Sequence, residues 1–163
     1  QSISERNANV LIVDDHEANL TALEAVLDGL NVNVVKARSG EEALNAVLNA
    51  DFAVILLDIQ MPEMDGFETA TLIRGREQHI HTPIVFVTAT ISEGADIERG
   101  YALGATDYIV KPFSAPEIKV KVRAYVELFM RKKELREKLR DLTGTWERRT
   151  SLWWMISLRI WSP

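Results

Sequence analysis

At 163 residues, with 47% hydrophobic and 26% charged side chains, the chain has room for one domain with a sizeable core and shows the balance of a soluble globular protein. A formal net charge of −5 argues against a nucleic-acid surface spread over the molecule, so no direct nucleic-acid partner is expected. The lack of cysteine excludes disulfide frameworks, thiolate metal sites and cysteine nucleophiles, and fits a cytoplasmic location.

Residues 1–8 are polar, lack the apolar core of a signal peptide and read as a disordered lead-in; the missing initiator Met suggests a processed or excised chain. Short β-branched runs then alternate with helical patterns, which predicts a parallel sheet covered on both faces. The runs are Val10 to Val13, Val32 to Val35, Ala53 to Leu57, Ile84 to Val87 and Tyr108 to Val110. Each is continuous rather than alternating, as strands buried on both faces should be. Between them Leu20, Leu23, Leu27 and Leu30 recur at helical spacing, as do Ala43, Leu44, Val47 and Leu48, so each connection can lay an apolar stripe on the sheet. Ser39 can cap the second helix, with Glu42 placed to return the bond. Gly66 and Gly104 read as points of backbone freedom beside loops. The fold class is α/β, a doubly wound five-stranded parallel sheet over residues 9–125, with an extended C-terminal helix.

That helix is predicted from about Ala115 to Leu142, with neither Gly nor Pro after Pro116 to stop it before Gly144. Ile118, Tyr125, Lys132 and Leu139 fall seven apart, and Leu128, Leu135 and Leu142 form a companion series. Residues 126–143 therefore carry a short heptad seam, and a homodimer through it is expected; the alternative is a helix whose first half packs on the sheet and whose second half is a solvated, charge-laced rod, with Lys132 weakening the seam. Residues 144–163 hold Trp146, Trp153, Trp154 and Trp161 and read as a tail of unassigned role. Its apolar run from Leu152 to Trp161 falls short of the ~20 residues a bilayer span needs, so no membrane span is read.

Asp14 and Asp15 end the first predicted strand and Asp58 ends the third. If the strand order is 2-1-3-4-5, the three carboxylates share the crevice at the carboxyl edge, where open α/β sheets bind ligands. Converging carboxylates call for protonation or a cation, and a hard divalent ion such as magnesium suits oxygen ligands. Lys111 ends the fifth strand and can meet a phosphate oxygen as a point charge. With a divalent ion and Lys111 the three acids are electrically balanced, so an arriving phosphoryl group upsets a neutral pocket. Thr88, ending the fourth strand, can swing its hydroxyl toward the new oxyanion.

Val13-Asp14-Asp15, Leu57-Asp58-Ile59-Gln60-Met61-Pro62-Glu63-Met64-Asp65-Gly66, Val87-Thr88-Ala89 and Tyr108-Ile109-Val110-Lys111-Pro112-Phe113 together resemble the receiver domains of two-component response regulators. The resemblance spans about Val10 to Tyr125 and implies a flavodoxin-like fold. It implies that Asp58 is the phosphoacceptor and that Asp14, Asp15, Asp58 and the Gln60 backbone carbonyl surround Mg2+ or Mn2+. It further implies that Lys111 holds the phosphate, that Thr88 and Tyr108 form a coupled switch, and that Gln60 and Thr90 set the lifetime of the acyl phosphate. A cis bond from Lys111 to Pro112 belongs to the same pattern. The implied partner is a sensor histidine kinase or phosphotransfer protein, with the helix passing the signal to an output domain. The chain would assist its own phosphorylation without being a turnover enzyme.

Two other functions compete. One is an aspartyl-nucleophile phosphatase, disfavoured because such enzymes carry Asp-x-Asp after the first strand where this chain has Asp14-Asp15-His16. The other is a degenerate receiver serving only as a dimerising scaffold. His16, His79 and His81 read as surface histidines, since imidazole matches magnesium poorly and no ligand spacing repeats.

Overall fold

The computed structural model describes the backbone of residues 8–89 and 94–160, and the side chains of 8–89, 97–144 and 153–157. Five strands, β1 (Asn9–Val13), β2 (Asn33–Ala37), β3 (Val54–Asp58), β4 (Ile84–Thr88) and β5 (Asp107–Val110), form one all-parallel sheet in the order β2-β1-β3-β4-β5, as expected. The helices α1 (Glu17–Leu27), α2 (Gly40–Asn49), α3 (Gly66–Arg74) and α4 (Gly94–Ala102) connect them, and α5 (Ala115–Ile160) follows.

The period of two along each strand sorts the core onto two faces. Leu11, Val13, Ile55, Leu57, Ile84 and Phe86 pack with Ala43 and Val47 of α2 and with Phe67, Ala70 and Ile73 of α3. Val10, Ile12, Val54, Leu56, Val85, Val87 and Ile109 pack with Leu20, Leu23 and Leu27 of α1 and with Ile118 and Val122 of α5. Full burial of each such side chain contributes roughly 1.5–3 kcal/mol, which fixes which helix covers which face.

Ser39 caps α2 by accepting the Glu42 N–H at 3.1 Å, but Glu42 Oε2 accepts in return from Arg38 N–H at 2.8 Å, one residue earlier than the reciprocal bond expected. Asp65 caps α3 through the Glu68 N–H at 2.8 Å. Gly104 has a φ of 89°, the left-handed backbone its position before β5 requires. Gly66 is needed for a different reason than expected. A Cβ there would collide with the Asp58 carbonyl and stand 2.7 Å from the Ile59 Cα, so the position demands space rather than an unusual φ.

His79 is not a surface histidine. It is fully buried, with Nε2 2.6 Å from the Val47 carbonyl and Nδ1 3.0 Å from Thr82 Oγ1, while His81 is exposed as expected. Its burial turns on the short 3-10 turn Glu77–His79, which brings the ring under α2. Beside it Arg74 donates to the carbonyls of His79, Thr82 and Gly104, joining the end of α3 to the loop before β5.

The chain divides into two units, Gln1–Leu128 and Phe129–Pro163. Helix α5 does not stop near Gly144 but continues to Ile160, because a lone Gly costs only ~1 kcal/mol relative to Ala and no Pro follows before Pro163. Along the heptad positions the helix changes partner: Ile118 is fully buried and Tyr125 partly buried on the sheet, while Leu128, Leu135, Leu139 and Leu142 are exposed at 47%, 59%, 61% and 68%. Among the described side chains beyond them, Trp153, Trp154, Met155 and Ile156 are exposed, with the two indole rings edge to face. Residues 1–7 of the lead-in expected over 1–8, Thr90 and the side chains of Trp146 and Trp161 lie outside the described residues; Ala8, the last residue of that lead-in, is instead buried, its carbonyl accepting the Asn33 N–H at 2.9 Å.

Candidate functional site

Adjacent β1 and β3 pair Val13 with Leu57, and β4 and β5 pair Thr88 with Val110, so Asp14, Asp58, Thr88 and Lys111 all emerge at the carboxyl edge. Asp58 itself pairs with Val87, which sets it between the first and fourth strands' ends. The crevice foreseen at the switch point is thus built by register alone.

Asp14 is buried, and both its oxygens are engaged. Oδ1 accepts the His16 backbone N–H at 2.9 Å, and Oδ2 accepts from Lys111 Nζ at 2.9 Å. Lys111 stands 3.9 Å from Asp58 Oδ1, so it pairs closely with Asp14 and at longer range with Asp58. Its position is set by its own N–H donating to the Thr88 carbonyl at 2.7 Å, and the following peptide bond to Pro112 is cis, as the resemblance implied.

Asp58 is only 6% exposed. Burial pushes its carboxyl up from 3.8 to about 6; the charge of Lys111 opposes this, Asp14 and Asp15 add to it, and the Gln60 backbone hydrogen bond opposes it again. Gly66 brings the start of α3 against this residue, its N–H donating to the Ile59 carbonyl at 2.8 Å. Thr88 is buried at the end of β4.

Tyr108 lies in β5 with its hydroxyl donating to the Ile97 carbonyl of α4 at 3.2 Å. Its ring packs 5.5 Å from Phe86 and 5.3 Å from Tyr101, in a cradle that exists because Gly100 has no Cβ; one built there would overlap the phenol oxygen. Gly100 was not foreseen, since a glycine inside a helical pattern carries no local signal of the ring that needs its space.

The donor set fits a divalent cation. One oxygen of Asp15, Oδ1, is shielded from solvent and accepts no hydrogen bond, although His16 Nδ1 is 3.1 Å away. Among the described residues the tight group of ligand atoms is Asp14, Asp15 and His16, all within 4.8 Å of one another. Asp58 stands outside that group, and Lys111 bridges toward it from Asp14. His16 is exposed, as expected of a surface residue, yet its ring faces the two acids, which was not expected.

Residues 10–123 match the family model of the response regulator receiver domain. The transcriptional regulatory protein YvrH of Bacillus subtilis is 40% identical over 129 residues, covering 78% of this chain and 53% of that protein. SrrA of Staphylococcus aureus, also a transcriptional regulatory protein, is 40% identical over 115 residues, covering 71% and 46%. The chain spans about half the length of these relatives. Among solved structures, the Vibrio cholerae chemotaxis protein CheY4 superposes with a TM-score of 0.68 at 34% identity, covering 74% of this chain and 98% of that one. The receiver domain of the Pseudomonas aeruginosa sensor histidine kinase PA1611, solved with magnesium in its active-site cleft, gives a TM-score of 0.68 at 29% identity and the same coverage.

Proposed function

The chain belongs to the response regulator receiver domain family of two-component signalling, and on that premise we propose that it accepts a phosphoryl group on Asp58 and passes the event on through α5. The observation that carries the reading is the convergence of buried Asp14 and Asp58 on one lysine ammonium at the edge of the sheet. The donor is a sensor histidine kinase or phosphotransfer protein in the cytoplasm. An Asp58 carboxylate oxygen attacks phosphorus in line, a P–O bond forms, and the bond to the donor's leaving group breaks with its electron pair.

Asp14, Asp15, Asp58 and the Gln60 carbonyl would hold Mg2+ or Mn2+, which when bound neutralises charge on the phosphoryl oxygens. Lys111 exchanges its contact with Asp14 for one with the phosphoryl group. Thr88 donates its hydroxyl to the same group, and Tyr108, anchored on α4 through Ile97, couples that movement to the α4 face. Gln60, with its exposed side chain, and Thr90 govern how readily water reaches the acyl phosphate. The chain assists its own modification and is not a turnover enzyme. A second copy pairs along the exposed seam of Leu128, Leu135 and Leu142.

Intact-mass analysis after incubation with acetyl phosphate and magnesium tests the central step. One phosphoryl increment is expected in the native chain and none in Asp58→Ala; an unmodified native chain, or an equally modified variant, would refute it.

A further inference from the structure

We infer that His16 is a metal ligand and the selectivity determinant of the acidic pocket, turning it toward divalent transition-metal ions of borderline softness; this rests on the metal-binding pocket proposed above. Three observations carry it. First, His16 Nδ1 lies 3.5 Å from Asp14 Oδ1 and 3.1 Å from Asp15 Oδ1. Two cis ligands bonded at ~2.1 Å to one octahedral ion stand about 3.0 Å apart, and tetrahedral ligands somewhat farther. Both imidazole–carboxylate separations are those of ligands to one ion.

Second, the closer of these two His–carboxylate contacts is made without a hydrogen bond. Asp15 Oδ1 is shielded from water and accepts no hydrogen bond despite the imidazole 3.1 Å away. A shielded carboxylate oxygen that accepts no hydrogen bond is costly, and a cation shared with the neighbouring imidazole removes that cost. Third, the imidazole has no other structural duty. His16 is the N-cap residue of α1 but makes no capping bond through its side chain, and the ring is 70% exposed. Its backbone N–H bonds Asp14 Oδ1 at 2.9 Å, a tight local turn that sets the ring over the two carboxylates.

Imidazole is a poor donor for Mg2+ and a good one for later first-row ions, so the added ring nitrogen changes which ion is preferred rather than whether one binds. Replacing the ring should therefore weaken a transition ion and spare Mg2+.

Co2+ serves as the probe, titrated into the 163-residue chain by its visible absorption and displaced by Mg2+ to give both affinities. His16→Ala and His16→Asn should each weaken Co2+ by about tenfold or more, change its absorption spectrum, and leave Mg2+ within about threefold. The ring is exposed, so neither substitution threatens folding, and Asn keeps an oxygen donor in reach. Equal losses for the two ions, or an unchanged Co2+ spectrum and affinity, would overturn the role of His16 while leaving the pocket standing. Failure of the native chain to bind either ion would overturn the pocket reading itself, and this inference with it.

Discussion

Asp58 is held where its charge is unwelcome. Its carboxyl is raised from 3.8 to about 6, chiefly by burial, so the folded chain binds that proton more tightly than the unfolded one. The protonated form's contribution is therefore complete below about pH 4 and lost as the pH rises through about 6. In metal-free buffer Asp58→Asn should match the native chain near pH 4 and exceed it at pH 7.5 by on the order of 1–2 kcal/mol, a figure discounted for hydration at the pocket mouth. Urea unfolding at both pH values measures this, and equal stabilities at pH 7.5 would disprove it. Glycine positions give a second test at the same scale. Gly66→Ala drives a methyl into the Asp58 and Ile59 backbone, which cannot yield as a side chain can. A loss of ~2–3 kcal/mol is expected, together with slower phosphoryl uptake. Gly100→Ala collides instead with the Tyr108 phenol oxygen, and Tyr108→Phe should recover part of its loss in a double-mutant cycle.

At the scale of elements, α5 changes character along its length. Ile118 and Val122 are fully buried on the sheet, whereas Leu139 is 61% exposed. Ile118→Ala should cost ~2–4 kcal/mol by thermal or chemical unfolding, and Leu139→Ala no more than ~0.5 kcal/mol measured on a monomeric background. A large cost at Leu139 would mean that the exposed seam supports the receiver's own stability. The heptad spacing of the α5 residues was visible from the start, but spacing does not say what fills the facing groove. Ile118 and Tyr125 met the sheet because residues 115–126 follow directly on β5 and lie against the face left open beside α1. Arg74 makes the same point from the other direction. No local pattern marks it, yet it donates to three backbone carbonyls, and burial lowers its guanidinium below the usual value.

For the whole molecule, self-association is the consequence most open to measurement. If Leu128, Leu135 and Leu142 pair between copies, the chain sediments as a dimer, and Leu135→Lys with Leu142→Lys yields a monomer that still takes up phosphate on Asp58. A native monomer in both phosphorylation states would refute the seam as an interface. No helix among the described residues is long and apolar enough to cross a membrane, in keeping with the short apolar run read near the C-terminus.

Strand number, and the places of Asp14, Asp58, Thr88 and Lys111 at strand ends, were legible in the sequence, because buried parallel strands are continuous apolar runs and each of these polar residues closes one; the strand order came only through the family resemblance. Local chemistry sufficed for the cap at Ser39, because donor and acceptor lie within one turn; the cap at Asp65 was not read from the sequence although it has the same local form. What only the tertiary structure decided involves partners far apart in the chain. Lys111 reaches Asp14 across 97 positions, His79 finds the Val47 carbonyl across 32, and Tyr108 needs the missing Cβ of Gly100. His16 is the instructive exception. It sits next to its acids in sequence, yet its relation to them depends on where the backbone turns after β1, and a turn's direction is settled by packing rather than by residue type.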